Sequence, residues 1–522
     1  MDSFQACEQY AKEHFITIVP EIEMPGHALA ALTAYPALGC PGTGPYEVAQ
    51  TWGVFDDVFC AGNDSVFTVL QGVLDEVCEL FPSNIIHIGG DECPKENWKT
   101  CPRCQARMKA EGLKDEHELQ SYFINRIQRH LAAKGRQIIG WDEILEGGLA
   151  PGAAVMSWRG ADGGIAAARQ GHDAVMSPGA YCYFDHSQSR NEDSVTFGGY
   201  TPLEKVYAFE PVPEDSLTTT QQAHILGAQA NLWTEYIGNQ RKIEYSIFPR
   251  LSALAEVLWS PKSKRNWADF ERRLPAQFER YALWGANSSP AYYDLAAAVV
   301  LTKGDGIRWM LTTKLKGAKI SIIKPEMSRP ERGPLAAYGM ISRSGTYQGL
   351  LFMDGKLKSR ISQTFHLNKA TGKKITLAQK PSENYPGQGG AFGLVNGIQG
   401  DKGMVSSDWL GWWGKDLEAT LDLGSVQEVR TVSIHAMESE GSWVYRPQLL
   451  EVLVSYDGNN YTALTGSADW KATPQGDGSI MVSLLAKTRY IKVRAKNAGR
   501  IPTGKPGAGN DAWLFVDEIM VE

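Results

Sequence analysis

The 522-residue sequence contains no apolar run of about twenty residues, so nothing in it reads as a membrane-spanning helix. It also lacks an excess of basic residues. Fifty-two Lys and Arg stand against fifty-nine Asp and Glu, for a net charge of −7, which argues against a nucleic-acid-binding protein with its basic stripe. No Walker loop and no GxGxxG element follows a strand pattern, which removes the usual phosphate and dinucleotide cradles. No cysteine occurs after Cys182, so the chain is not a small disulfide scaffold. What remains is an ordinary globular composition, 43% hydrophobic and 21% charged, long enough for about three domains. Tryptophan is abundant, at fifteen residues. Its flat amphipathic ring stacks on sugar faces as well as filling cores, so carbohydrate is the first suggestion.

The eight cysteines are Cys7, Cys40, Cys60, Cys78, Cys93, Cys101, Cys104 and Cys182. Cys93, Cys101 and Cys104 invite a zinc reading, because Cys-x-x-Cys is half of a ribbon site. A second half with matching spacing is absent. Free thiols, or one or two disulfides, are the simpler expectation, and no metal ligand is assigned.

The amino-terminal stretch MDSFQACEQYAKEHF has a helical pattern with Phe4, Cys7, Ala11 and Phe15 on one face. No charged-then-apolar leader precedes it. It runs into ITIVPEIEMPGH, whose Ile16–Val19 reads as a buried strand. A chain that begins this way is expected to have lost a preceding segment.

Up to about residue 285 one unit repeats: a short apolar run, then polar or aromatic residues, then a helical stretch. The runs are Ile16–Val19, Ile85–Ile88, Gln137–Gly140, Ala154–Met156, Ala174–Met176 and Ile225–Gly227. Predicted helices include Ser65–Leu80, Glu116–Lys134, Gly163–Gln170 and Ile243–Leu258. This alternation means parallel βα units. A doubly wound sheet fits it too, but the distinctive residues sit just after each strand, where a (β/α)8 barrel keeps its active site. About six βα units are visible, two short of a barrel. From about 290 the helical period fades into β-type runs such as Lys319–Ile323 and Gly349–Met353, and from about 375 alternating strands suit a sandwich or jelly roll. The predicted division is an incomplete TIM barrel over 1–287, a small β-sandwich over 288–370 and a β jelly roll over 371–522.

The sharpest chemical segment is SNIIHIGGDECP, residues 83–94. A buried strand delivers His87, then Gly89 and Gly90, which let the backbone approach a ligand, then Asp91 and Glu92. Adjacent carboxylates at a strand end are costly unless hydrogen-bonded or functional. Other strand ends carry Glu21, Glu23 and His27; Trp141, Asp142 and Glu143; Trp158 and Arg159; Tyr183 and Asp185; and Asn231, Trp233 and Glu235. Three indoles, each beside a charged residue, would converge on one cavity of a barrel and describe a sugar pocket.

HIGGDE, with VPEIEMPGH before it and GWDE, SWRG, YCYFD and NLWTE after it in that order, resembles the family 20 glycoside hydrolases, the β-N-acetylhexosaminidases. The resemblance covers roughly residues 8–285. It implies a (β/α)8 barrel and removal of terminal β-linked N-acetylglucosamine or N-acetylgalactosamine from glycans, with no cofactor for catalysis. It implies substrate-assisted retention, in which the 2-acetamido oxygen attacks C1 to form an oxazolinium ion, an exception to the two-carboxylate scheme. By that resemblance Glu92 is the general acid and later base, and Asp91 orients the acetamido N–H and stabilises positive charge on its nitrogen. Trp141, Trp158 and Trp233 enclose the acetamido methyl and sugar ring, Tyr183 holds the acetamido oxygen, Asp185 and Glu235 accept sugar hydroxyls, and His27 buttresses the acid. His87 joins the substrate-binding set. The chain departs from the family in lacking the first two barrel strands, with their arginine and aspartate, so by itself it is expected to be poorly folded or weakly active.

Residues about 375–522, through DWLGWWGKDLEATLDLG, RPQLLEVLVSYDG and WLFVDEIMVE, resemble the discoidin or coagulation-factor type C family, which shares its jelly roll with family 32 carbohydrate-binding modules. That resemblance implies a structural calcium, for which LVNGIQGD at 394–401 is the candidate loop, and sugar contacts from some of Trp409, Trp412, Trp413 and Trp443, with at least two of them in the core. A periplasmic or extracellular location follows indirectly. Two competing readings are a non-catalytic glycan-binding protein with a degenerate barrel, and a metal-dependent hydrolase built on Cys93, Cys101, Cys104 and His87.

Overall fold

A computed structural model describes residues 2–50, 53–191, 196, 198–302, 306–325, 338–400, 407–464, 469–473 and 477–522. The chain divides into two compact units. One comprises Met1–His186 with Gly199–Ser288, the other Ser187–Gly198 with Ser289–Glu522.

The first unit is built on a five-stranded parallel sheet: β1 (Ile85–His87), β2 (Gln137–Trp141), β3 (Ala154–Ser157), β4 (Ala174–Met176) and β5 (Ile225–Ala228). The strands lie side by side in chain order. A doubly wound sheet reverses its order at a switch point, whereas a TIM barrel adds each strand beside the last. Short, and largely buried in the first four, these strands need helices to cover them, and two of those helices begin where side chains take up the free N–H groups. Asn63 caps the helix Asp64–Leu80, accepting from Ser65 N–H, and Asp115 caps Glu116–Ala133, accepting from His117 and Glu118. Each such cap is worth about 1 kcal/mol. Val66, Phe67, Leu70, Leu74 and Val77 give the first of these helices its buried stripe.

Two expectations are corrected. Ile16–Val19 is extended but is not a strand of the sheet. Its apolar side chains are not taken into a core: Ile16 is 60% exposed and Val19 40%, with Ile18 only half-buried. Apolar character predicts burial only if another element arrives to cover it. The chain joins the sheet just afterwards, where Glu21 bridges His87 in parallel, His87 N–H donates to Pro20 O and Ile22 N–H to His87 O. The helix expected over Ile243–Leu258 is two helices, Gln240–Ile247 and Arg250–Trp259. Pro249 has no N–H to give and disfavours helical backbone at Phe248.

The second unit is β-rich. It has two three-stranded antiparallel sheets, one of Ala296–Leu301, Ile307–Thr312 and Tyr338–Ile341 and one of Lys319–Ile323, Gly345–Met353 and Lys356–Phe365, and an eight-stranded sheet beyond them. In the large sheet the segments ATLDLG and VRTVSIHAM, expected as separate strands, form one strand, Leu417–Met437. It pairs with Asp477–Lys496 through register shifts at Asp422/Gln427 and Val429/Thr431, which absorb the polar residues between the two apolar halves. Trp409 and Trp412 are buried in the core. Trp413 and Trp443 are a third exposed, with rings 6.1 Å apart. The turn at 394–400 lies against two buried carboxylates. Gly397 N–H donates to Glu518 and Gly400 N–H to Asp517. Asp401, the last residue of the candidate calcium loop, lies outside the described residues.

Candidate active site

The sheet's hydrogen bonding continues past the strand ends and sets the site residues beside one another. Met24 N–H donates to Ile88 O at 3.2 Å and Trp141 N–H to Gly89 O at 2.9 Å, which carries β1 pairing into the GGDE segment. Asn231 N–H donates to Cys182 O and Phe184 N–H to Asn231 O, so Tyr183 lies next to the Asn231–Trp233 stretch. Gly26 fits against the 91–93 backbone: a Cβ there would stand 3.1 Å from Asp91 O.

These contacts place His27 Nε2 3.2 Å from Asp91 Oδ2 and 3.5 Å from Glu92 Oε2. The hydrogen bond to Asp91 raises the His27 pKa above its ordinary value, against burial, which lowers it. His27 and Glu92 both have left-handed backbone, φ +48° and +45°. For residues with a Cβ that conformation costs about 1–3 kcal/mol each and is found where a scaffold holds a functional side chain. Asp91 Oδ1 is buried with no hydrogen-bond partner.

An aromatic wall runs from this pair. The Trp141 ring lies 5.0 Å from His87 and 6.0 Å from Trp233. Tyr183 adjoins Asn231 through a parallel bridge, and its ring is 6.2 Å from Trp158. Two of the three indoles are aimed by a carboxylate: Trp141 Nε1 donates to Glu21 Oε1 at 2.9 Å and Trp158 Nε1 to Glu143 Oε2 at 3.0 Å. Asp185 is buried, and both its oxygens lack a hydrogen-bond partner. Burial first, opposed by Arg250 and reinforced by Glu235, pushes it up to about 6. Glu235 and Trp233 lie on the open side. A cleft of about 400 Å³ opens beside Glu92, bounded by Lys95, Glu116, Glu143, Glu146 and Arg159.

His87 sits behind this surface. It is 3% exposed, its Nδ1 is 3.2 Å from Glu21 Oε1 and accepts Gly89 N–H, and burial lowers its pKa. It therefore packs under Trp141, its ring 5.0 Å from the indole. Asp142 is likewise internal, paired with Arg159 at 2.6 Å. Gly89 and Gly90, expected to admit a ligand, instead make room for the protein itself. A Cβ on Gly89 would stand 1.8 Å from Glu23 Oε2, and one on Gly90 2.5 Å from Ile144 Cγ2. Cys93 adjoins the carboxylate pair, and burial pushes its thiol up to about 12, far from a thiolate at neutral pH.

Glu23, expected beside Glu21 and His27 at one strand end, was given no role there. Burial, then the Asp91 charge and Glu21, push it up to about 10, so it carries a proton at neutral pH. The signal for it was present, since it lies in the same PEIEMPGH segment as His27. A carboxyl that stays protonated when folded but ionises near 4.5 when unfolded makes stability fall as pH rises above the unfolded value. Glu23→Gln should flatten that slope. Urea midpoints of both proteins followed against pH test this; parallel slopes refute it.

A parallel sheet in barrel order, with carboxylates and indoles at its carboxyl ends, defines a TIM-barrel-like catalytic domain. The chain belongs to glycosyl hydrolase family 20: residues 2–262 match that family's catalytic domain. Over 281 residues it is 54% identical to a beta-hexosaminidase of Porphyromonas gingivalis, covering 53% of this chain and 36% of that protein. Among solved structures it is similar to a beta-N-acetylhexosaminidase of Bacteroides fragilis (TM-score 0.50, 34% identity, 56% of this chain and 58% of that one). It is also similar to a family 20 exo-beta-N-acetylglucosaminidase of Vibrio harveyi in complex with N-acetylglucosamine (TM-score 0.51, 33% identity, 55% and 45%). The chain thus spans little more than a third of the Porphyromonas protein's length. Among the described residues no helix is long and apolar enough to cross a membrane.

Proposed function

We propose that this protein is an exo-acting β-N-acetylhexosaminidase that removes terminal β-linked N-acetylglucosamine or N-acetylgalactosamine from glycans, with retention and with the substrate's acetamido group as nucleophile. The observation that carries this reading is the His27–Asp91–Glu92 cluster at the end of β1, facing the aromatic wall. Glu92, 38% exposed at its side chain beside the open cleft, is where a leaving-group oxygen would be protonated and a water later activated. Asp91, held by His27 at Oδ2 and adjoining the Glu23 carboxyl, is placed to accept the acetamido N–H. His27 positions both carboxylates. Tyr183 and the indoles of Trp141, Trp158 and Trp233 bound the space for the acetamido group and ring, and Asp185 with Glu235 would accept hydroxyl protons. The two unpartnered oxygens of Asp185 suit that role, because a buried carboxylate gains by receiving donors. His87, being internal, acts through Trp141.

The same reading takes the catalytic unit as an incomplete barrel over 1–287 followed by a β-sandwich over 288–370 and a discoidin-like jelly roll over 371–522. Trp413 and Trp443 offer a half-exposed pair of rings on that module for a sugar face. A structural calcium at 394–401 fits one feature: burial and Asp517 hold Glu518 well above the ordinary carboxylate range, and a divalent cation would offset that cost. A glycan substrate places the protein in a periplasm or outside the cell.

The test is a chromogenic assay on the purified protein with N-acetylglucosaminide, N-acetylgalactosaminide and plain glucoside, each with and without EGTA. Hydrolysis of the first two only, weak in a chain with an incomplete barrel, is expected, with EGTA lowering thermal stability but not the rate. Glucoside turnover at a comparable rate, or no turnover of any substrate by a folded protein, refutes the assignment; unchanged thermal stability in EGTA refutes the calcium.

A further inference from the structure

Outside the catalytic cluster, four buried cysteines converge. Cys40, Cys60, Cys101 and Cys104 are each no more than 4% exposed, and their sulfurs all lie within 4.8 Å of one another. The Sγ–Sγ distances are 3.9 Å for Cys40–Cys104, 3.7 Å for Cys60–Cys101 and 3.7 Å for Cys60–Cys104. These are too long for a disulfide, whose sulfurs stand about 2.05 Å apart. They match the edge of a tetrahedron of sulfurs about 2.3 Å from a central ion, which is about 3.8 Å. All eight cysteines of the chain are unbonded.

The backbone around the four sulfurs is built for this convergence. Cys101 is the N-cap of the helix Pro102–Glu111 and Cys104 lies in its first turn, where exposed N–H groups favour thiolate over thiol. Cys60 N–H donates to Leu38 O at 2.9 Å, bringing the Cys40 turn beside it, and Asn63 N–H closes a turn on Cys60 O. Gly62 packs against the helix start so closely that a Cβ would stand 2.2 Å from the Arg103 carbonyl. The missing second half of the Cys-x-x-Cys site is therefore supplied by Cys40 and Cys60, far away in sequence, while Cys93 and His87 take no part.

We propose that Cys40, Cys60, Cys101 and Cys104 bind one structural zinc ion. Four thiols release their protons to solvent as four Zn–S bonds form, with no change of oxidation state. A tetrahedral S4 set takes zinc or iron, and redox-inert zinc suits a site with no path to a substrate. The ion would join the loop after His27 to the loop after Glu92. Phe59, next to Cys60, donates its N–H to Pro25 O at 3.0 Å, and Trp98, just before Cys101, donates Nε1–H to Phe59 O at 3.0 Å. Zinc here braces the two segments that carry His27 and the Asp91–Glu92 pair without touching the reacting atoms.

The experiment is elemental analysis of protein purified without added metal or chelator, beside intact-mass measurement of the denatured, unreduced chain. About one zinc per chain is expected, lost when a mercurial titrates the thiols and restored by added zinc once excess dithiothreitol has removed the mercurial. Cobalt exchanged into the wild-type site should give thiolate-to-metal charge-transfer bands and the intense visible bands of a tetrahedral ion. Cys60→Ser should lower both zinc content and melting temperature, whereas Cys7→Ser, at an exposed thiol, should leave both unchanged. Because the wild-type readings need no variant, a Cys60→Ser protein that fails to fold leaves the test intact. Iron in place of zinc, four thiols that bind no metal, or a mass deficit of two hydrogens for each disulfide would overturn the proposal. None of these readouts depends on hydrolytic activity, so the zinc site and the enzymatic reading stand or fall separately.

Discussion

Glu92→Gln is expected to lower turnover of an alkyl N-acetylglucosaminide by about 10²–10⁴-fold, the range supplied by a positioned general acid. Glutamine keeps the size and the hydrogen bonds, so the strained backbone at φ +45° and the contact with His27 survive, and only the proton is lost. The dependence on leaving group identifies the role. A nitrophenolate departs without a proton, so the nitrophenyl glycoside should lose much less rate than the alkyl one in the step that forms the oxazolinium ion. Equal losses for good and poor leaving groups would contradict the assignment and leave Glu92 as a binding residue. The nearby Glu143, pushed up to about 7 by burial, is the other carboxyl at the cleft that could carry a proton. Glu143→Gln serves as the control, and it should leave the leaving-group dependence intact.

Asp91→Asn should reduce kcat by about 10²–10³-fold, the size of effect seen when one preorganised electrostatic stabiliser is removed, with a smaller change in KM. The reason is timing: the amide nitrogen gains positive charge only as the oxazolinium ring closes, so the carboxylate acts mainly at the transition state. A thiazoline that imitates the closed ring should inhibit the wild-type protein strongly and the variant weakly. The structure adds a second readout. The Asp91 hydrogen bond is the largest of the influences that raise the His27 pKa, so the substitution should lower it, which NMR titration of the imidazole can follow. A protein nucleophile predicts differently. A 2-fluoro sugar would then trap a glycosyl-enzyme, and mass spectrometry that found the adduct on Asp91 would end the substrate-assisted reading.

The strand-end residues were legible because each is contiguous with the strand that delivers it. HIGGDE, GWDEI and SWRG can be read locally, and the parallel sheet sets their ends side by side. What stayed hidden depended on partners distant in the chain. Glycines at 89 and 90 carry the same sequence signal whether they admit a ligand or clear space for Glu23 and Ile144, and only the fold distinguishes these. His87 reads as a site residue from its position, yet its ring is turned into the interior. The Cys101–Cys104 pair looked like half a metal site because Cys40 and Cys60 stand 61 and 41 residues before Cys101, at spacings no ribbon pattern contains. Ile16–Val19 has the composition of a core strand, but periodicity describes a segment and not what covers it. The break at Pro249 was readable locally and is simply proline chemistry.

The left-handed backbone at His27 and Glu92 has a consequence for how this protein can be improved or can drift. Glycine at either position would relax the main chain at no steric cost, so the variants that most favour the folded state there are ones that delete a side chain the reaction needs. Selection for thermal robustness alone would therefore push both positions towards glycine or asparagine, against the roles proposed for His27 and Glu92. A stabilisation campaign that leaves these two residues free to vary is expected to recover hardier, inert proteins. On the proposed reading, glycine at 92 would remove the acid itself, whereas glycine at 27 would remove only the group that positions it.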